Sequence, residues 1–286
     1  MSKIASKNSA ANPRLTQKRE DEITELAEYL SVEKFANKRV EPEEFAKDKS
    51  IRVIAGRYED AFDGMLEHDA GEFFIYCNLD RLTSLSTPRA RFTIAHELGH
   101  FYIDEHRNAL KSGEVPTHPS HCDHESKNPI ELEADCFASS LLMPSERFRK
   151  RAKRVEAGLA GIQKLAGDFG TSLTSTAIRY AKLDLETCVI IKWNSGGYGW
   201  KWLSPSAYEA GWRKTIETPA KLVPESATER IVSAGTSSES QVQMTGTTAS
   251  HWFPFIFSGS CRDCILREEA ISLGRFGSLT MIRKAE

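Results

Sequence analysis

Residues 91–100 read RFTIAHELGH, and this stretch contains the pattern His-Glu-x-x-His in a segment that we predict to be helical. His96 and His100 are four positions apart, so on an α-helix both imidazoles lie on one face, about 6 Å apart along the axis. Two imidazoles with this spacing can bind one divalent ion, and the geometry is typical of zinc. Glu97 lies at the edge of the same face, where a carboxylate can accept a proton from water at the ion without being a ligand.

The sequence around the histidines favours a helix in the core of a domain. Apolar residues occur on more than one side of it: Phe92, Ala95, Leu98, Phe101, Tyr102 and Ile103. Its polar groups are therefore expected to face an internal site. Helical histidines are often ordinary polar groups, but burying an uncompensated polar group costs about 1–3 kcal/mol. A metal ion would compensate two histidines and a glutamate together.

A second helix, predicted over residues 128–144, carries the candidates for a third ligand. Asn128 can cap this helix, Pro129 suits its first position, and Pro144 marks its end. Zinc enzymes commonly use three protein ligands and leave a fourth position for water. We therefore expect one acidic side chain of this helix at the metal.

Glu131 is the carboxylate that we assign as the third metal ligand. It shares a face with Asp135 and with the small residues Ala134 and Ala138, which would let this helix approach the histidine helix closely. Asp135 is assigned as the partner that orients a ligand imidazole. Two alternatives stay open: Glu131 stands where a capping-box glutamate would occur, and Glu133 is the substitute ligand.

In combination, these stretches resemble the ImmA/IrrE family of zinc metallopeptidases. RFTIAHELGH is followed by ELEADCFA and LLMP between residues 131 and 144, while FDGML at 62–66 and EFFIY at 72–76 resemble that family's amino-terminal strands. The resemblance extends over roughly residues 20–185. It implies a cytoplasmic bacterial or phage peptidase with one Zn²⁺ per chain. Its implied substrate is a helix-turn-helix transcriptional repressor, cleaved in response to DNA damage or another stress.

Composition places the chain among ordinary soluble proteins. Its 286 residues are 40% hydrophobic and 27% charged with a formal net charge of −2, so the overall balance does not indicate a nucleic-acid-binding protein. No run approaches the roughly 20 apolar residues that a membrane helix needs, and the amino terminus has no stretch resembling a secretory signal. We therefore predict a cytoplasmic protein. Residues 1–19 are basic and polar, and we predict a disordered tail rather than a nucleic-acid-binding arm.

Residues 20–146 are predicted to form an α+β, zincin-like peptidase domain in which helices flank a small antiparallel sheet. The expected elements are helices at 21–35 and 41–48, a strand start at 51–54, and a hairpin of strands at 65–68 and 72–78. Residues 116–124 are predicted to be a polar loop near the active site. His106 is expected to be an exposed histidine at a helix end, with stabilisation of an oxyanion as the alternative.

Residues 147–185 are predicted to form a helical subdomain of the helix-turn-helix type. Six of the eight residues at 147–154 are basic, and a turn around Gly170 is expected to join two helices between residues 161 and 183. The family resemblance implies that these helices complete the peptidase domain. The basic run is expected to be a solvated face.

A second function competes with peptidase activity at these helices. Arg179 and Lys182 are candidate DNA contacts, because with Ser175 and Thr176 they would lie on the exposed side of the second helix. The alternative is therefore a DNA-binding transcriptional regulator that acts through residues 147–183 and has a structural zinc site. The neutral overall charge and the presence of Glu97 favour the zinc endopeptidase, with Glu97 as general base.

Residues 186–286 are predicted to form a separate β-rich or α+β domain. A hairpin is expected from 187–193 and 198–203, with further strands at 252–257 and 279–282 and a loop or edge-strand region at 233–250. Some family relatives carry a GAF-like domain in this position, so the resemblance implies a sensor-like role. The cysteines are expected to be reduced packing residues, and Cys261 and Cys264 form a lone Cys-x-x-Cys.

Overall fold

The computed structural model describes residues 15–113, 117–121, 128–194, 197–212, 222, 224–234, 241–253 and 265–285. Contacts divide the chain into two compact units, one ending at Pro144 and the other beginning at Ser145. The chain is α+β, with one sheet in each unit. No helix within the described ranges is long and apolar enough to cross a membrane.

The first unit combines a four-stranded sheet with six helices in its described part. In chain order the elements are α1 (Gln17–Phe35), α2 (Pro42–Asp48), β1 (Arg52–Gly56), β2 (Gly64–Asp69), β3 (Glu72–Asn78), α3 (Leu79–Leu82), α4 (Pro88–Tyr102), α5 (Asp104–Ser112), β4 (Thr117–Ser120) and α6 (Pro129–Leu142). Helix α1 begins inside the stretch that we predicted as a disordered tail, because the Thr16 hydroxyl caps it by accepting from the Arg19 amide.

The sheet of the first unit is mixed, in the order β1-β3-β2-β4. The predicted hairpin is present, since β2 and β3 pair antiparallel around Ala70 and Gly71, both of which have positive φ. The prediction of a purely antiparallel sheet is wrong, because β1 lies on the far side of β3 and runs parallel to it. Part of the predicted loop at 116–124 is also a strand, since residues 117–120 pair with β2 through the backbone.

Helix α4 is the buried element around which the first unit packs. Thr87 caps it, Pro88 occupies its first position, and every residue from Ala90 to His100 is buried. Helix α6 begins as the sequence predicts, because the Asn128 side chain accepts from the Ile130 amide.

The crossing of α4 and α6 depends on two small residues. A Cβ added to Gly99 would lie 3.1 Å from the Cα of Ala134, so a side chain at position 99 would require the helices to separate by a few tenths of an ångström. This close approach brings the acidic face of α6 to the histidines of α4.

The second unit is built on a five-stranded antiparallel sheet in the order β6-β5-β9-β8-β7. Its described elements are α7 (Ser145–Ala152), α8 (Leu159–Phe169), α9 (Leu173–Lys182), β5 (Cys188–Asn194), β6 (Gly197–Leu203), α10 (Pro205–Glu209), α11 (Ala227–Ser233), β7 (Gln243–Thr248), α12 (Ala249–Trp252), β8 (Ile265–Ser272) and β9 (Ser278–Lys284). Three tryptophans contribute to its core, Trp193, Trp212 and Trp252.

The carboxyl-terminal hairpin is present as β5 and β6, but two other features differ from the sequence predictions. Trp252 ends a short helix instead of starting a strand, and the rest of that predicted strand lies outside the described residues. Strand β8 was not predicted at all. Cys261 and Cys264 also lie outside the described residues.

The segment predicted as helix-turn-helix forms α8 and α9, joined by Gly170 in a left-handed conformation and by the cap of Ser172. These helices belong to the second unit, where they pack with its sheet, rather than to the unit that carries the histidine helix. In the basic run, Phe148 is buried and Arg149 donates to the Leu183 carbonyl. Arg149, Lys150, Arg151, Lys153 and Arg154 are exposed, so most of the run is the solvated face that the sequence predicts.

The prediction that one side of α9 is exposed is wrong. Ser175, Thr176 and Arg179 are buried, because α9 packs against both α8 and strands β5 and β6. Arg179 donates to the Ser145 hydroxyl, and the Lys182 ammonium lies 5.0 Å from the centroid of the Trp202 ring. In this conformation the two candidate DNA contacts are engaged within their own unit.

Candidate metal centre

Three metal-ligating side chains from α4 and α6, His96, His100 and Glu131, converge on one point. Nε2 of His96 and Nε2 of His100 are 3.2 Å apart. The Glu131 carboxylate places Oε2 3.3 Å from the first nitrogen and Oε1 3.4 Å from the second. All three residues are buried, and together they could hold a metal ion.

Asp135 lies behind His96, one turn after Glu131 on α6. Its Oδ1 is 2.9 Å from Nδ1 of His96, so a proton on Nδ1 can be donated to the carboxylate while Nε2 faces the other two donors. Burial lowers the pKa of His96, but hydrogen bonds to Asp135 and Glu131 outweigh burial and raise that pKa well above its ordinary value. Without an ion, the doubly protonated form of the His96 ring is therefore favoured.

Glu133, the alternative ligand left open by the sequence, is directed to a different group of residues. Its Oε2 accepts from Nη2 of Arg19 at 2.7 Å and lies 3.1 Å from Nε2 of His106. Of the two glutamates, Glu131 is the one whose carboxylate contacts both His96 and His100.

The expectation that His106 is exposed is wrong, since only 8% of the residue is accessible to solvent. Helix α4 ends at Tyr102, and the extended conformation of Ile103 turns the chain directly into α5. This turn brings Nδ1 of His106 to 3.2 Å from Nδ1 of His100. Burial lowers the pKa of His106, so the neutral ring is favoured.

Glu97 is completely buried and lies against the start of β2. A Cβ added to Gly64 would lie 2.8 Å from Oε1 of Glu97, so only a glycine permits this approach of strand to helix. The sequence indicates Gly64 only as part of the FDGML stretch that resembles the family. Cys77 pairs with Gly64 across the strands, and burial, followed by the charge of Glu97, raises the pKa of its thiol to about 12.

Asp63 anchors the residue that precedes Gly64. It is buried, and its two carboxylate oxygens accept from Nε of Arg81 and Nη2 of Arg89, each at 2.7 Å. Its amide donates to the Ser120 carbonyl on β4 at 2.8 Å. These contacts fix the position of β2 beside Glu97. A charged residue directly before a glycine in the FDGML stretch was the available sequence signal.

Comparisons with known proteins agree with the resemblance stated from the sequence. Residues 83–180 match the peptidase family M78, described as the IrrE N-terminal-like domain, which confirms the family resemblance for that segment. The comparison with curated proteins gave no match. A solved structure of a Mycobacterium tuberculosis transcriptional regulator is similar with a TM-score of 0.60 and 12% sequence identity, covering 93% of this chain and 78% of that chain. At this identity the similarity concerns the fold alone.

Proposed function

Because residues 83–180 match a peptidase family and contain three converging metal-ligand candidates, we propose that the protein is a zinc-dependent endopeptidase. The observation that carries the proposal is the presence of the His96, His100 and Glu131 donors together with Glu97 on one helix crossing. Its substrate would be a protein, and the family resemblance favours a transcriptional repressor cleaved in a stress or phage response in the cytoplasm.

His96, His100 and Glu131 form a donor triangle, made of the two Nε2 atoms and the carboxylate, and its size supports zinc. A tetrahedral ion with bonds of about 2.0–2.1 Å has ligand atoms about 3.3–3.4 Å apart. Here the two nitrogens are 3.2 Å apart, and each faces a different oxygen of Glu131, at 3.3 Å from Nε2 of His96 and 3.4 Å from Nε2 of His100. Two imidazoles and one carboxylate are a donor set found in catalytic zinc sites, which keep a fourth position for water or substrate.

The role of Glu97 in hydrolysis follows from its place beside His96. A bound zinc ion would supply Lewis acidity, which makes water more acidic and polarises a peptide carbonyl. Glu97 would accept one proton as the water oxygen bonds to the carbonyl carbon. The same carboxyl group would then donate that proton to the amide nitrogen as the carbon–nitrogen bond breaks, so the products are an acid and an amine.

The remaining residues orient the ligands and limit access of solvent. Asp135 holds His96 so that Nε2 keeps a lone pair for the metal, and Gly64 keeps β2 close to Glu97. Burial of Glu97 reduces competition from bulk water for its proton.

The test is proteolysis of repressors that are encoded beside this protein's own gene and are co-expressed with it. Wild type is compared with Glu97→Gln, with His100→Ala and with a chelator-treated sample. We expect cleavage by wild type only, stoichiometric zinc in Glu97→Gln, and loss of zinc in His100→Ala. Cleavage by Glu97→Gln at the wild-type rate would contradict the assigned role.

DNA binding can be measured separately with the same protein samples. A salt-dependent gel shift that is unchanged in Glu97→Gln would favour the regulator hypothesis. The burial of Arg179 and the contact of Lys182 with Trp202 count against it.

A further inference from the structure

We propose that His106 is a positioning residue for the metal ligand His100, and that Glu133 and Arg19 hold it in that role. The inference rests on the proposed metal site, but it concerns metal affinity and not peptide cleavage. The four residues come from α4, α5, α6 and α1, so the group links four helices of the first unit.

The hydrogen-bond pattern permits one arrangement of protons. Nε2 of His100 belongs to the donor triangle, and a nitrogen that binds a metal must offer its lone pair. The ring proton of neutral His100 is therefore on Nδ1, which donates to Nδ1 of His106 across 3.2 Å. Since Nδ1 of His106 accepts, its own proton is on Nε2.

Glu133 and Arg19 form the charged end of this group of four residues. Nε2 of His106 donates to Oε2 of Glu133 at 3.1 Å, and that oxygen also accepts from Nη2 of Arg19 at 2.7 Å. The Glu133 side chain is 14% exposed and that of Arg19 is 27% exposed. Glu133 therefore has little contact with water, and the guanidinium partly balances its charge.

The two ligand histidines are thus oriented by different means. His96 donates directly to the carboxylate of Asp135 at 2.9 Å. His100 donates to a neutral imidazole, which is held in turn by a carboxylate. In both cases the outer partner selects the tautomer that leaves Nε2 free for the metal, and loss of such partners typically weakens metal binding on the order of 10–100-fold.

A pair of isosteric variants separates the two hydrogen bonds of His106. In His106→Asn the amide oxygen takes the place of Nδ1 and can still accept from His100. In His106→Gln the amide nitrogen takes the place of Nε2 and can still donate to Glu133. His106→Leu removes both bonds. Leu110→Ala, one turn later in α5, removes buried apolar contacts and leaves the hydrogen bonds of His106 to His100 and Glu133 intact.

The readout is the zinc dissociation constant of the full chain, measured by competition with a chromophoric chelator. We expect His106→Leu and His106→Gln to bind zinc on the order of 10–100-fold more weakly. His106→Asn keeps the bond to His100 but loses the bond to Glu133, so its affinity should lie between that of His106→Gln and that of wild type. Leu110→Ala should lower the melting temperature with unchanged zinc affinity. Wild-type affinity in His106→Leu, or an equal loss in Leu110→Ala, would overturn the proposal.

A spectroscopic measurement tests the tautomer directly. Two-bond proton–nitrogen correlations of the zinc-loaded protein should show His106 protonated at Nε2 and His100 at Nδ1. A proton on Nδ1 of His106 would refute the proposal, because Nδ1 could then not accept from His100. Because neither measurement uses a substrate, a zinc-binding protein that cleaves nothing would contradict the proposed peptidase and leave this inference standing.

Discussion

Glu268 and Glu269 of the second unit are buried in a different way from Glu131 of the first unit. In the second unit, Glu268 accepts from the Thr228 amide at 2.7 Å and from the Trp252 indole at 3.2 Å, and Glu269 accepts from the Leu159 amide and from Arg283, each at 2.6 Å. There, protein hydrogen-bond donors surround each carboxylate.

In the first unit, the Glu131 carboxylate faces two imidazole nitrogens whose other ring positions are already committed to Asp135 and His106. With Nε2 of both rings deprotonated, as metal binding requires, lone pairs would converge there, whereas in the second unit hydrogen-bond donors surround the carboxylates. Burial of a carboxylate therefore does not by itself mark a metal site, and the convergence of several acceptors is the informative feature.

A glutamate-to-glutamine substitution in each unit tests this difference and should give the largest effect. Glu97→Gln should lower the cleavage rate on the order of 10²–10⁴-fold, because the amide cannot accept the proton, while the melting temperature stays near that of wild type. Glu268→Gln should keep activity and lose about 1–3 kcal/mol of stability, because the amide nitrogen would face a donor. Cleavage rates and thermal unfolding are measured for both variants. Loss of activity in Glu268→Gln together with loss of stability in Glu97→Gln would contradict the catalytic role of Glu97 and the structural role of Glu268.

The pH dependence of zinc binding should show the second largest effect. Since the pKa of His96 is raised, zinc must displace a proton, and affinity should rise by up to about tenfold per pH unit between pH 6 and 8. The stability that His96 contributes to the metal-free protein has the opposite trend. It is complete below the ordinary histidine pKa and is lost as pH rises through the raised pKa.

Chelator competition at pH 6, 7 and 8 measures this dependence. Asp135→Asn is the control, because removal of the carboxylate should lower the pKa of His96 and flatten the profile. An equally steep profile in wild type and Asp135→Asn would mean that another group supplies the proton.

A glycine substitution in each unit gives the smallest expected effect. Gly64→Ala should cost about 1–3 kcal/mol and slow cleavage, because its methyl group would meet first the Thr93 methyl and then the Glu97 carboxylate. Gly167→Ala, in α8, has nothing within 4 Å of the added Cβ. It should raise stability by about 0.5–1 kcal/mol. Denaturant unfolding measures both, and an unaffected Gly64→Ala variant would show that β2 is not held tightly against α4.

The sequence predicted those features that depend on neighbouring residues. The spacing of His96 and His100 and the Asn128-Pro129 start of α6 are local patterns, and both helices lie where expected. The choice between Glu131 and Glu133 needed the crossing angle of α4 and α6, which no local pattern contains.

Strand β8 and the buried face of α9 show why the other predictions failed. Residues 265–272 read ILREEAIS, and three consecutive charged residues hide the alternation of a strand. Their partners, such as Thr228 and Arg283, are distant in sequence. Arg179 looked exposed for the same reason, because an apolar periodicity does not record which polar side chains find a partner inside the fold.

The contact between Gly99 and Ala134 has a consequence for the choice of ion. A methyl group at position 99 would move α6 outward by a few tenths of an ångström, because its carbon would be 3.1 Å from the Cα of Ala134. Glu131 would move with the helix and widen the donor triangle, so the site should accept larger divalent cations at the expense of smaller ones. Gly99 would thus influence which ionic radius the site prefers without contacting the ion, because it sets the distance between α4 and α6.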